Sequence, residues 1–323
     1  MPPLSVVCPF RDTPPAFLRE AAASVLAEPP ATVGELLLVD DASVRADTRE
    51  AAAAIAEADP RVRLLRLERN RGPAGARNAG VAEARHEWVA FVDSDDRWLP
   101  GRGEAMAEVL RLAPDAAWIG GDYTEADDAG DGAPPPAAAG PRRLEGEALA
   151  RAFLDGFFLH LGASAMRRSL FAQAGGFATR LRVGEDVYLN LVLATLVPLH
   201  HVPRCLYWVR RGHPSLTASR AMLREGDMPM LRRARRDPRL AALRRELRWA
   251  LYREAKRLAA SNLVSGFRRD ALLWALRAWA LDPRELGELA TFLRILFARP
   301  AEVREEALRA YTRALLIRLP ATA

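Results

Sequence analysis

Trp88-Val89-Ala90-Phe91-Val92-Asp93-Ser94-Asp95-Asp96 runs five apolar residues straight into three carboxylates. A short continuous apolar run of this kind reads as a buried strand of a parallel sheet. The carboxylates then stand where the strand emerges, and in open α/β sheets ligands bind outside the carboxyl ends of the strands. Hard divalent cations take oxygen ligands, commonly one or two carboxylates together with substrate phosphates. The stretch therefore points to a metal site for a phosphorylated substrate. The alternative is an acidic turn or helix cap following a buried strand.

The same grammar extends upstream. Leu4–Pro9 is a short apolar strand, Leu36–Val39 a second one that ends in Asp40-Asp41, and Val62–Leu67 a third. Helical spacing occupies Pro14–Leu26 and Asp47–Ala58, and a Gly- and Asn-rich loop over Arg69–Gly80 enters a helix running to about Arg85. Strands alternating with helices across short loops argue for parallel βαβ units. This organisation sets Asp12, Asp40, Asp41, Asp93 and Asp95 along one rim.

Downstream, Gly103–Leu112 reads as helix, Ala117–Gly121 as strand and Glu125–Pro141 as an exposed loop. Leu144–Phe158 reads as helix, Leu161–Met166 as strand and Ser169–Gly175 as a short helix. Gly184-Glu185-Asp186 opens another helix, Leu199–Val209 is extended, and Arg210–Thr217 is a polar loop. After Ala218 only helices are expected: Met222–Arg236, Leu240–Leu263, Asp270–Leu281, Pro283–Phe297 and Ala301–Leu316, with Asp282 capping and Pro283 opening the fourth. The expected division is an α/β domain over 1–219 and an Arg-rich all-helical region over 220–323.

Length and composition narrow the classes. At 323 residues, half of them hydrophobic and 27% charged, the chain is globular with ample length for a core. Cys8 and Cys205 are its only cysteines, too few for a disulfide framework or a complete zinc site. Met1-Pro2-Pro3 leads directly into an apolar run without a basic segment, so no signal peptide is expected. The longest apolar candidate, Leu189–Leu199, is interrupted by Asn190 and Pro198 and falls short of the ~20 residues of a membrane span. The expected compartment is the cytoplasm.

The net charge of +6 is unevenly spread. From Arg220 onward there are 23 Lys+Arg against 12 Asp+Glu, a surplus of +11, and the preceding part carries −5. The basic helices suit a peripheral contact with the anionic inner face of the cell membrane. They equally suit a solvated helical surface, a homo-oligomer contact or an acceptor-binding subdomain. They lack the aromatic interleaving of a nucleic-acid reader, so no nucleic acid is expected. No Gly-x-Gly-x-x-Gly follows the first strand, which argues against a dinucleotide-dependent oxidoreductase.

Four stretches together carry a resemblance. They are Val6-Val7-Cys8-Pro9-Phe10, Leu38-Val39-Asp40-Asp41-Ala42-Ser43, the run from Arg69 to Gly80 containing Gly72, Gly75, Arg77 and Asn78, and Phe91-Val92-Asp93-Ser94-Asp95-Asp96. In order and spacing they resemble the family-two glycosyltransferases with a GT-A fold. Gly175-Gly176-Phe177, Gly184-Glu185-Asp186 and the loop Arg210–Thr217 extend the likeness to about Thr217. The resemblance implies a mostly parallel, Rossmann-like sheet flanked by helices. It implies an inverting, metal-dependent enzyme of the hexosyltransferase type, which moves a sugar from a nucleoside-diphosphate-sugar donor to a hydroxyl of a glycan or lipid-linked acceptor. Polysaccharide or cell-envelope glycan synthesis is the expected setting. A catalytically degenerate GT-A-like nucleotide-binding or interaction protein is the alternative.

Site residues carry over position by position. A diphosphate leaves only if its growing charge is neutralised, which Mg²⁺ or Mn²⁺ supplies. Asp93-Ser94-Asp95 resembles the family's Asp-x-Asp, with Asp95 on the metal and Asp93 on ribose or on the metal through water. Asp96 is either a third acidic member or the cap of a helix or turn near Trp98. The acceptor hydroxyl must lose its proton, and Asp186, beside Glu185, resembles the general base. Otherwise the two acids merely favour a helix N-terminus. Asp41, with Asp40 nearby, is expected at the base or sugar of the nucleotide. Pro9 and Phe10 line that pocket, where Phe10 and Arg11-Asp12 stand in place of the family's Tyr-Asn. Asn70 and Arg77 lie in the loop near the nucleotide. Arg211, His213 and Ser215 are expected over the diphosphate, and His213 is also a candidate metal ligand. His160, His200 and His201 read as structural.

Overall fold

The computed structural model describes residues 2–126, 140–212, 226–264 and 266–284, together with Ala290 and Leu293. The chain divides into two compact units, one of residues 1–150 with 158–213, the other of residues 151–157 with 214–323.

The first unit is built on one mixed sheet. Its first half is four parallel strands, β1 (Leu4–Phe10), β2 (Val33–Asp40), β3 (Val62–Arg66) and β4 (Trp88–Phe91), in the spatial order β3-β2-β1-β4. Three helices connect them: α1 (Pro15–Leu26), α2 (Ala46–Ala58) and α3 (Gly72–Ala82). All seven residues of β1, Ser5 included, and all four of β4 are buried, as strands covered on both faces require. Gly80 lets α3 sit directly on the sheet, since a Cβ there would lie 2.4 Å from Val7 Cγ1 and 3.0 Å from Val39 Cγ2.

The remaining elements are β5 (Arg97–Trp98), α4 (Arg102–Leu112), β6 (Trp118–Ala126), β7 (Arg142–Leu144), α5 (Gly146–Leu154), β8 (Ser164–Arg167), α6 (Arg168–Gln173), α7 (Glu185–Leu196) and β9 (Leu199–Arg210). Antiparallel β8 joins β4 to β6, and β6 runs parallel to β9. The outer edge of β9 carries β7 at its start and β5 at its end, both antiparallel. The long ladders are thus parallel and the short ones antiparallel.

Three expectations shift. The strand expected over Ala117–Gly121 continues to Ala126, because β9 pairs with it along that length. The helix expected over Leu144–Phe158 covers only Gly146–Leu154. The edge strands β5 and β7 were not read from the sequence, because strands of two and three residues carry no periodicity. Residues 127–139 of the loop expected over Glu125–Pro141 lie outside the described residues.

In the second unit the described helices are α8 (Met228–Arg236), α9 (Arg244–Val264) and α10 (Arg268–Leu281), with a 3-10 turn over Pro238–Leu243. Leu247, Leu251, Ala255 and Leu258 of α9 and Ala271, Trp274, Ala275 and Ala278 of α10 are buried at helical spacing. The start of the helix expected from Met222, nearly all of that over Pro283–Phe297, and the one over Ala301–Leu316 lie outside the described residues. Among the described residues no helix is long and apolar enough to cross a membrane.

Candidate active site

The site begins where β4 ends. Asp93 to Asp96 form a turn closed by the Asp96 N–H donating to the Asp93 carbonyl at 3.1 Å. Strand β9 clamps this turn from the side. The Tyr207 hydroxyl accepts from the Asp93 N–H at 3.0 Å and donates to Asp96 Oδ2 at 2.9 Å. The Arg210 N–H donates to Asp96 Oδ1 at 2.9 Å, and Arg210 Nε donates to the Asp95 carbonyl at 2.9 Å. Asp96 is buried, and burial, followed by the charges of Asp93 and Asp95, pushes its carboxyl up to about 8. It caps no helix: the chain enters β5 at Arg97. Asp95 stays partly exposed at the rim.

Arg77, on α3, ties this turn to a second acidic motif. Its Nη2 donates to Asp93 Oδ1 at 2.6 Å and its Nη1 to Glu185 Oε1 at 2.8 Å, while its Nε, also buried, has no hydrogen-bond partner. Burial opposes the guanidinium charge, but Asp93 and Glu185 outweigh it and hold Arg77 above its ordinary value. The same contact draws Asp93 below the usual carboxylate range against its burial. Glu185 and Asp186 open α7 after Gly184, whose φ of 78° turns the chain into the helix. Both are raised, chiefly by burial. Asp186 Oδ1 accepts from the Val187 N–H at 2.8 Å. Neighbouring Asn78 locks the segment before α7 in place, donating to the Phe177 carbonyl and accepting from the Phe177 N–H, each at 2.9 Å.

His160 completes the cluster. One ligand atom each from Asp93, Asp96 and His160 lies within 4.8 Å of the others. The imidazole stacks on Tyr207, centroids 4.5 Å apart and planes 26° from parallel, and its Nδ1 accepts from the Gly162 N–H at 3.1 Å. Burial depresses it to about 4, with Asp93 pulling the other way, so at neutral pH the ring is uncharged, with the Nδ1 lone pair taken up by the Gly162 N–H and the proton on Nε2. The carboxyl oxygens of Asp93 and Asp96 are donors of the kind a divalent cation takes, and His160 would join them only by giving up its bond from Gly162. From its sequence neighbourhood His160 reads as structural, and the pairing of β8, which follows it, with β4 is what brings it to the turn. His201, by contrast, faces Asp122 at 3.1 Å.

On the other flank, the residues expected at the nucleotide shape the loops. Pro9 and Phe10 are buried in β1, Phe10 as part of the core. Asp12, at φ 52°, accepts from the Val44 and Arg45 N–H groups, each at 2.8 Å. Asp40 accepts from the Ser43 N–H at 2.8 Å, and Asp41 from the Arg71 N–H at 2.7 Å. Asn70 is exposed and accepts from the Gly72 N–H at 2.8 Å. Arg211 pairs with Glu125, Nε to Oε2 at 3.0 Å. His213 and Ser215 lie outside the described residues.

A mixed sheet whose parallel half ends in an acidic turn, with a second acidic helix start beside it, is the GT-A architecture of nucleotide-sugar transferases. Among solved structures, S. aureus TarS 1–349 in complex with UDP-GlcNAc shares the fold with a TM-score of 0.66 at 15% identity, over 99% of this chain and 94% of that one. The mannosyltransferase PcManGT from Pyrobaculum calidifontis, in complex with GDP-Man and Mn²⁺, gives 0.57 at 19% identity, over 98% and 87%. The chain belongs to Glycosyl transferase family 2, whose model matches residues 5–175. It is 34% identical over 298 residues to the succinoglycan biosynthesis protein ExoO of Rhizobium meliloti (strain 1021), covering 86% of this chain and 83% of that protein. ExoW of the same organism is 32% identical over 211 residues, 60% of this chain and 65% of its own length.

Proposed function

We propose that the protein transfers a sugar from a nucleoside-diphosphate-sugar to an acceptor hydroxyl during polysaccharide assembly, with inversion at the anomeric carbon. The observation that carries this reading is the Arg77 bridge, which holds the Asp93 turn and the Glu185-Asp186 helix start on one buried guanidinium. Relatives named for succinoglycan biosynthesis support the polysaccharide setting.

In this reading Asp186 accepts the acceptor proton. Its upward shift suits that task, since a base works best with a pKa near the working pH. The acceptor oxygen forms its bond to the anomeric carbon as the bond to the diphosphate oxygen breaks on the opposite face, and the nucleoside diphosphate departs. Arg77 keeps Asp93 ionised and fixes the distance between the two acidic motifs. Asp41 orders the Arg69–Gly80 loop through the Arg71 N–H, which shapes the nucleotide flank. Asp93 and Asp95, with Asp96 beside them, would hold a Mn²⁺ or Mg²⁺ ion, which when bound would neutralise the charge of the leaving diphosphate.

Thermal shift with UDP, GDP and deoxythymidine diphosphate ligands, with and without Mn²⁺, tests the reading. Metal-dependent stabilisation by one nucleotide, lost in Asp95→Ala, is expected. A flat response in folded protein overturns it in favour of a degenerate, non-catalytic GT-A protein. The proposed peripheral membrane contact of the Arg-rich helices is tested by sedimentation with anionic vesicles at low salt, where failure to pellet removes it.

A further inference from the structure

We infer that Phe158, Tyr123 and His160 form a stacking subsite for a pyranose ring of the acceptor saccharide, directly beside the acidic turn. The inference rests on the transferase reading above and names the surface on which its second substrate lies.

Among the described residues of the first unit, Phe158 is the only exposed Phe, Tyr or Trp, at 41%. Scattered exposed aliphatics need no explanation, but an exposed aromatic set in a cluster does. Phe158 and Tyr123 meet edge to face with centroids 5.7 Å apart, Phe158 and His160 at 5.9 Å, and Tyr123 and His160 at 5.3 Å. The three rings close a triangle. Its inner corner, His160, stacks on Tyr207, whose hydroxyl holds the Asp93–Asp96 turn. The patch is therefore continuous with the reaction centre.

Chemistry and topology choose the occupant. A pyranose presents a face of axial C–H groups, weakly positive and apolar, which the electron-rich face of an aromatic ring attracts. Its hydroxyls project from the ring edge, and the Arg211–Glu125 ion pair lies two residues along β6 from Tyr123. The sheet order β3-β2-β1-β4-β8-β6-β9 puts Asp93, at the end of β4, between two flanks. The loops ordered by Asp12, Asp41 and Asn70 belong to the β1–β3 flank, where the nucleotide docks. The aromatic triangle comes from β6 and the segment leading into β8, on the opposite flank. That side is left to the sugar that receives the transfer.

The experiment is saturation-transfer NMR on the full chain with UDP and Mn²⁺ present, using methyl β-D-glucopyranoside, methyl β-D-galactopyranoside and methyl α-D-mannopyranoside as probes. Ring-proton signals are expected from at least one glycoside, falling roughly five-fold in Phe158→Ala and in Tyr123→Ala and returning in Phe158→Trp. Phe158 is exposed, so its removal leaves the core intact, and Phe158→Trp controls for folding. Unchanged signals in both alanine variants overturn the inference, as does the absence of signal from every glycoside in protein that binds a nucleoside diphosphate. A donor-sugar role is separated by comparing UDP with UDP-glucose, and GDP with GDP-mannose. Phe158→Ala is expected to leave each ratio of affinities unchanged, and a loss confined to the nucleotide-sugar overturns the acceptor assignment. Failure to bind any nucleoside diphosphate instead sinks the transferase reading itself.

Discussion

Two buried arginine–carboxylate centres stand at opposite ends of the parallel strands. At the amino end, Glu35 of β2 is 1% exposed and fully engaged: it accepts from the Ser5 hydroxyl and the Arg85 N–H, each at 2.6 Å, and from Arg63 Nη1 at 2.8 Å. Burial works against its charge, yet these donors outweigh it and hold Glu35 below its ordinary value. At the carboxyl end, one guanidinium serves both Asp93 and Glu185, its own Nε is unpartnered, and Glu185 and Asp186 are held above the usual range. The first centre is satisfied and serves the scaffold. In the second, one guanidinium is shared between two carboxylates, and a cluster of shifted titratable groups of this kind is a candidate for function.

The sharpest way to break this contrast is at Asp186. Asp186→Asn is expected to lower transfer by about 10³-fold while nucleoside-diphosphate binding, read by thermal shift, stays near wild type. Near-normal turnover in that variant would remove Asp186 as the base. Arg77→Met comes next. It takes the shared counter-charge from two half-buried carboxylates, so turnover is expected to fall about 10²-fold together with a loss of about 1–3 kcal/mol in stability by denaturant titration. An unfolding midpoint equal to wild type would mean that Arg77 is not what holds the motifs together.

Glu35→Gln probes the other centre. It is expected to cost about 1–3 kcal/mol of stability with kcat and KM unchanged, because it loses charge-assisted hydrogen bonds far from the reacting groups. A selective loss of transfer would erase the distinction between the two ends. The smallest effect lies in pH dependence. Glu35 has a folded-state pKa below the ordinary 4.5, so its contribution is present above that value and lost as pH falls through the lower one. The acid limb of the stability curve below about pH 4.5 is therefore expected to be shallower in Glu35→Gln than in wild type, measured by denaturation at stepped pH. An identical limb would show that other carboxylates control acid unfolding.

Legibility in the sequence follows the same division. The β1–β4 half was readable because its strands are short, mostly apolar local runs, and the acidic endings of β2 and β4 lie within a few residues of the strands that deliver them. Asp93 and Asp41 were found as candidates for that reason, whereas Arg77 and the Glu185-Asp186 pair rested on the resemblance to the family's motifs. Asp12 and Asp40 were legible as rim residues and Asn70 as a loop residue, but their hydrogen bonds to loop N–H groups were not, since those depend on the turns into which the chain folds. Phe10, expected at the base, lies in the core because β1 is covered on both faces.

By itself, then, the sequence determined the alternation of strands and helices, the family to which the chain belongs, and the acidic residues at the strand ends. These follow from local patterning and short motifs. Only the tertiary structure decided which acids are paired and with what. It brought His160 to Asp93 and Asp96, set the Tyr207 and Arg210 clamp across 114 residues from Asp93 and Asp96, and joined Arg77 to Glu185 across 108. The physical reason is that burial and charge pairing between groups so far apart along the chain are fixed by sheet order and packing, which no local pattern encodes.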